Sequence, residues 1–175
     1  MAATQKPAAP IGFVGLGHMG GNMATRLLAA GYAVYGQART KERAQHLVDE
    51  GLRWCDTPRE LAAAAEIVFT SIPDDAALED VAAGPDGILE GLGTGKVWVD
   101  VSTVSPRVSR EVAERVRGTG ALMLDAPVSG SVPQVRSGTL TIMVGGTSRP
   151  TNASSRCSAS WGRRLASAAT VRGWC

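Results

Sequence analysis

The residues of this chain best suited to chemistry by type and spacing lie in Ile11-Gly12-Phe13-Val14-Gly15-Leu16-Gly17-His18-Met19-Gly20. Gly15, Gly17 and Gly20 stand in the G-x-G-x-x-G spacing, behind an apolar run and ahead of the helix formers Met23 to Ala30. Each glycine answers a different demand. Gly15 allows a tight turn, Gly17 lets a pyrophosphate approach the bare backbone, and Gly20 lets a helix pack closely on the preceding strand. The N–H groups that open such a helix face an anion. A glycine pattern alone is permissive, and it is the flanking strand and helix that turn it into a dinucleotide site.

Further along, Gly36-Gln37-Ala38-Arg39-Thr40 closes the expected second strand. An acid there would bond the ribose 2′-hydroxyl of NAD and repel a 2′-phosphate. No acid is present, and Arg39 offers a planar fork able to hold a phosphate bidentately, so NADP is expected ahead of NAD. The alternative is Arg39 as a solvated loop charge. Asp74 and Asp75 are paired carboxylates, but their place after Pro73, at the start of a helix, suits capping better than acid/base work. His18, inside the glycine loop, is expected to line a cofactor rather than move protons, and His46 to lie solvated on an amphipathic helix. Cys55, Cys157 and Cys175 are odd in number and lack metal-like spacing, which points to a reducing compartment.

The elements that must position these residues alternate. Strands are expected at Ile11 to Val14, Tyr32 to Tyr35, Ile67 to Ile72, Lys96 to Val101, Ala121 to Leu124 and Thr139 to Val144. Helices are expected after Gly20, from Thr40 through Glu50, from Pro58 to Ala65 behind a Thr57 cap with Glu60 three residues on, from Ala76 to Ala82, and from Ser105-Pro106 along the stripe Val108, Val112, Val116. Strand and helix in alternation from Ile11 to about Leu124 predict an α/β fold, Rossmann-like and doubly wound, on a mainly parallel sheet. Ligands of such sheets bind beyond the carboxyl ends of the strands. The strand ends at Gly15, Arg39, Pro73, Ser102 and Ala126 should therefore border one crevice.

With 175 residues, 44% hydrophobic and 19% charged, the chain has room for one ordinary domain with a real core. A net charge of +2 gives no broad bias toward nucleic acid or membrane. No apolar stretch reads as a signal peptide or a membrane span of about 20 residues, and a cytoplasmic location is expected.

Several separated motifs together resemble the β-hydroxyacid dehydrogenase family, a relative of 6-phosphogluconate dehydrogenase. The glycine loop is similar to the family's cofactor loop. Ile72-Pro73 resembles its Leu-Pro or Ile-Pro at a cofactor-contacting strand end, and Asp100-Val101-Ser102-Thr103 its D-x-S-T substrate motif. Asp125-Ala126-Pro127-Val128-Ser129-Gly130 and Gly138 to Gly146 resemble its sixth-strand region. The resemblance implies hydride transfer between NAD(P) and a small 3-hydroxy acid or its semialdehyde. It implies that Gly15, Leu16, Gly17, His18, Met19 and Gly20 line the pyrophosphate, Arg39 and Thr40 the adenosine ribose phosphate, and Ile72, Pro73 and Thr103 the nicotinamide half. Ser102 would bond the substrate, with a turn residue before the Ser105-Pro106 cap as the alternative. Ser129 and Gly130 would hold the substrate carboxylate.

Two departures stand out. Ser131 replaces a glycine of the family, which bears on backbone approach to the substrate. No lysine follows Lys96, whereas the family draws its proton-transferring lysine from a long helix after the nucleotide domain. The resemblance implies a C-terminal helical domain, through which members associate, that this sequence does not contain. Oligomers are thus expected only of a full-length form. The expected organisation is a disordered stretch 1–9, a nucleotide-binding domain 10–146 and a disordered basic tail 147–175. That tail has five arginines, six serines and no acid, a scatter too sparse for a nucleic-acid site. It reads as an out-of-frame translation of the family's continuation. A non-catalytic NADP-binding interaction module is the rival to the enzyme reading.

Overall fold

The computed structural model describes residues 9–145. The expected disordered stretch 1–9 lies outside the described residues apart from Ala9, and the tail 147–175 lies outside them entirely.

The chain opens with β1 (Ile11–Val14), α1 (His18–Ala29) and β2 (Val34–Gln37). A 3-10 turn (Lys41–Ala44), α2 (Gln45–Asp49), β3 (Arg53–Trp54), α3 (Pro58–Ala64) and β4 (Ile67–Thr70) follow. Next come α4 (Asp75–Ala83), α5 (Ile88–Gly91), β5 (Val97–Asp100), α6 (Pro106–Gly118) and β6 (Leu122–Asp125). The described part ends with β7 (Val128–Ser129), α7 (Val132–Ser137) and β8 (Thr141–Ile142). Six strands form one parallel sheet in the order β3-β2-β1-β4-β5-β6, the doubly wound order of dinucleotide folds. β7 and β8 pair antiparallel beside it.

Both faces of the sheet are covered, which is why its central strands read as unbroken apolar runs. On one face Ile11, Phe13, Phe69, Val99 and Leu124 pack with Met23 and Leu27 of α1, and the rings of Phe13 and Phe69 stack 5.7 Å apart. On the other face Val14, Val68 and Trp98 meet Leu61, Leu78, Val108, Val112 and Val116.

Three helices start on side-chain caps. Thr57 Oγ1 accepts from Glu60 N at 3.1 Å, Asp74 Oδ1 from Ala77 N at 2.8 Å, and Ser105 Oγ from Val108 N at 3.4 Å. Asp75 Oδ1 accepts the Ser105 N–H at 2.7 Å, tying the start of α6 to α4. The paired carboxylates are thus spent on caps.

Some expected boundaries shift. β2 starts at Val34 rather than Tyr32, and the helix expected over 40–50 splits into a 3-10 turn and α2, with no cap bond from the Thr40 side chain. β8 is only two residues long and lies outside the parallel sheet. Among the described residues no helix is long and apolar enough to cross a membrane.

Candidate functional site

The sheet order places the carboxyl ends of β2, β1, β4 and β5 side by side. The residues that follow them therefore form a row in space: Arg39 and Thr40, the glycine loop, Ile72 and Pro73, then Ser102 and Thr103. α1 leaves β1 toward β2 while β4 flanks β1 on the other side, so the glycine loop sits at the topological switch point.

Each glycine is fixed by its surroundings. Gly15 has φ +90°, donates to Gln37 O at 3.0 Å, and would drive a Cβ into the Ser71 carbonyl. A Cβ on Gly20 would meet the Gly15 carbonyl and come within 2.9 Å of the Phe13 ring. Gly17 is different: nothing lies within 4 Å of the position its Cβ would take. The fold itself makes no demand for glycine there. Gly17 is also the N-cap of α1, which has neither a side-chain cap nor an acid in its first turn. Its leading N–H groups meet the needs of a pyrophosphate, so the residues fit a dinucleotide.

Around that loop, the Leu16 side chain is buried in the core, Met19 is half-buried and His18 is exposed, its carbonyl accepting from Asn22 Nδ2 at 2.7 Å. Leu16 can thus offer a ligand only its backbone. Arg39 and Thr40 are exposed, and Arg39 makes no ion pair among the described residues. Lys41 lies 5.6 Å from the Trp54 ring centroid. A cleft of about 840 Å³ runs beside the loop, bordered by Gly17, His18, Arg43, His46 and Arg136.

At the other end of the row, Ile72 is half-buried while Pro73 and Thr103 are exposed. Ser102 is 5% exposed and its hydroxyl is committed. It donates to Asp100 Oδ1 at 2.6 Å and accepts the Ile72 N–H at 3.0 Å. The Ser102 N–H donates to the same Oδ1 at 3.1 Å, and Thr70 Oγ1 does so at 2.7 Å. Trp98 Nε1 in turn donates to Thr70 Oγ1 at 2.9 Å. This network joins the ends of β4 and β5. Burial pushes the Asp100 carboxyl above its ordinary range, and burial with the neighbouring Asp100 charge pushes Asp125 up to about 6.

Ser129 and Gly130 are exposed on and after β7. Gly130 has φ +135°, and a Cβ there would lie 2.9 Å from Leu140 Cδ1, so both backbone and packing require glycine. Ser131 starts α7, where Gln134 Oε1 accepts from its N–H at 3.0 Å and from its Oγ at 2.7 Å.

Lys96 belongs to the opposite edge of the sheet. Its Nζ donates to the carbonyls of Ala62, Ala63 and Ala65 at 2.5, 2.8 and 2.7 Å, capping the end of α3. Cys55 is buried with its thiol pushed up by burial, and among the described residues no cluster of His, Cys, Asp or Glu could hold a metal.

Residues 10–169 match the model of the NAD binding domain of 6-phosphogluconate dehydrogenase. The chain belongs to that family. It is similar to 2-(hydroxymethyl)glutarate dehydrogenase of Eubacterium barkeri, 42% identical over 135 residues, covering 77% of this chain and 45% of that protein. Among solved structures, Psf3 in complex with NADP+ and 2-OPP superposes with a TM-score of 0.81 at 30% identity, over 87% of this chain and 54% of that one. The 3-hydroxyisobutyrate dehydrogenase of Mycobacterium tuberculosis, solved with L-serine, gives 0.79 at 29% identity, over 90% and 54%. The chain thus spans about half the length of these relatives. The family-model match extends beyond Gly146, into residues outside the described ones. The Rossmann-like domain is one that takes a nicotinamide dinucleotide.

In the sequence Asp100 and Asp125 stand inside motifs without a role of their own, and Thr70 and Trp98 read only as strand residues. The period of two along a strand puts Asp100 and Ser102 on one side of the sheet, and that signal was there to read.

Proposed function

We propose that this chain is the NADP-binding half of a dehydrogenase or semialdehyde reductase acting on a small 3-hydroxy acid or its semialdehyde, working in the cytoplasm. The observation that carries the reading is the row along the sheet edge, in which the adenosine, pyrophosphate, nicotinamide and substrate candidates follow one another in the order of the strands. Arg39 would hold the 2′-phosphate with Thr40 beside it. The α1 N-terminus and the loop Gly15 to Gly20 would hold the pyrophosphate, with His18 and Met19 at its margin. Ile72, Pro73 and Thr103 would flank the nicotinamide, whose chemistry when bound is hydride transfer.

Ser102 would serve the substrate end by fixing the Ile72 N–H or, on exchanging its bond to Asp100, by bonding substrate directly. Ser129 and Gly130 would offer a hydroxyl and a backbone N–H to the carboxylate. The Ser131 N–H is already bonded to Gln134 Oε1 and so is not a further donor to the carboxylate.

Binding without turnover is the second reading, favoured by the use of Lys96 as a helix cap on the far edge of the sheet. Titrating the chain with NADPH and NADH by fluorescence, then assaying NADPH oxidation with small semialdehydes, tests both. Tight NADPH binding with slow oxidation supports the enzyme half, and binding with none supports the module. Failure to bind either dinucleotide refutes both.

A further inference from the structure

Two carboxyls at the ends of β5 and β6 are not used by the reading above. Asp100 and Asp125 hold paired register positions on neighbouring parallel strands. Such strands run about 4.8 Å apart, with paired residues on the same side of the sheet. Asp100 Oδ1 already accepts three bonds, from Thr70 Oγ1, Ser102 N and Ser102 Oγ. Its Oδ2 is buried and has no hydrogen-bond partner among the described residues.

Among the described residues, the side chains bonded to the pair or to its partners are neutral. β4 supplies the Thr70 hydroxyl, β5 the Trp98 indole N–H bonded to it, and the buried face of α6 is Val108, Ser109, Val112 and Val116. The buried residues of α4 are Leu78 and Ala82. The segment after β8 contributes backbone, Asp125 N donating to Gly145 O at 3.1 Å and Gly145 N to Asp125 O at 2.7 Å. Among the described residues the one charge acting on Asp125 is Asp100, and no cation acts on either carboxyl. A donorless buried carboxylate oxygen beside a second carboxyl is satisfied by a single proton held between the two, because close like charges resist joint ionisation.

We infer that Asp125 is a positioning residue: it shares a proton with Asp100 Oδ2 and, through Asp100, sets Ser102 and the Ile72 N–H at the nicotinamide end of the crevice. As pH rises the proton leaves Asp125 for water, two carboxylates remain side by side, and the three bonds to Asp100 Oδ1 readjust. The backbone bonds between Asp125 and Gly145 extend the same linkage to the chain that closes the β7–β8 pair, where Ser129 sits. The functional consequence rests on the placement of Ile72 and Ser102 proposed above, whereas the proton sharing does not.

The test is an NMR titration of the full 175-residue chain from pH 4 to 8, following the Asp125 carboxyl carbon and the Ile72 and Ser102 amides, in wild type and Asp125→Asn. The expected Asp125 midpoint is about 6, against about 3.9 for an ordinary aspartate, and both amides should move with it. Asp125→Asn, whose amide can donate to Oδ2 at every pH, should flatten both amide curves. An ordinary Asp125 midpoint overturns the inference, and so do amide curves that titrate alike in the two proteins. If the variant does not fold, wild-type amides that fail to follow the Asp125 midpoint overturn it. NADPH titration of the same samples separates the two readings: coupled amides without NADPH binding sink the proposed function alone, and binding with uncoupled amides sinks this inference alone.

Discussion

Gly17→Ala isolates what the phosphate loop is for. The added methyl meets no protein atom within 4 Å, and the backbone at Gly17, φ −75° and ψ −161°, is one that alanine can adopt. Alanine is a poorer N-cap than glycine but restricts the unfolded chain, so the two effects should leave stability within about 1 kcal/mol of wild type. The melting temperature should then move by no more than about 4 °C. The same methyl would stand where the pyrophosphate approaches α1. Weakening one charge-assisted bond there removes about 1.5–3 kcal/mol, or roughly a 10- to 150-fold loss of NADPH affinity. Gly20→Ala is the contrast. Its Cβ would strike the Gly15 carbonyl and crowd the Phe13 ring, and overpacking of about 1–3 kcal/mol outweighs the gain in helix propensity of about 0.5–1 kcal/mol. Thermal melts and fluorescence titration with NADPH read both variants. A folded Gly17→Ala chain that binds NADPH within twofold of wild type refutes the seating of pyrophosphate over Gly17.

Three other expectations follow from the same geometry. Arg39→Ala should lower the ratio of NADPH to NADH affinity by about 10-fold or more through loss of a charge-assisted contact, and an unchanged ratio would move the 2′-phosphate off this residue. Lys96→Met removes the donor to three carbonyls at the end of α3, those of Ala62, Ala63 and the C-cap Ala65, and should lower unfolding free energy by about 1–3 kcal/mol in urea. It should leave NADPH affinity within twofold, and lost binding in a folded variant would refute its assignment to the far edge. Asp125 has a raised folded value of about 6, so its contribution is present in full below about pH 4 and is lost as pH rises through about 6. Urea melts from pH 4 to 7 should show wild type losing more stability than Asp125→Asn, and equal losses would refute the shift.

The legible parts of this fold were those governed by local pattern. The glycine loop, the Thr57-Pro58 and Ser105-Pro106 helix starts and the apolar runs of β1, β4 and β5 announce themselves because one residue type answers one local demand. Asp74 was readable as a cap for the same reason. β3 was not, since Arg53-Trp54 is a two-residue edge strand that exists by pairing with Tyr35 and Gly36, far away in sequence. The short α5 is likewise made by packing, with Gly91 so close to α3 that a Cβ would run into the Arg59 carbonyl. α7 did carry a signal, the Ser131-x-x-Gln134 capping box, among residues to which the strand and helix patterns gave no element. In the site, the row of positions beyond the strand ends was legible from the strands alone. The Thr70, Asp100 and Ser102 network was not, because it joins two strands whose spatial order no local pattern specifies.

The two halves of the proposed site both rest on one helix. The phosphate loop runs directly into α1, and the outer side of α1 holds α7: Arg26 Nη1 donates to the Arg136 carbonyl at 2.6 Å, and Arg136 Nε donates to Asn22 Oδ1 at 2.8 Å. Beneath these bonds, Val135 and Leu140 share a buried cluster with Leu27. Leu140 is also the side chain against Gly130. A shift of α1 on closing around a pyrophosphate would therefore press on α7, and through Leu140 on the Ser129-Gly130 turn proposed for the substrate carboxylate. This chain of packed contacts joins the phosphate loop to the Ser129-Gly130 turn, so a substitution in α7 that loosens it should disturb both.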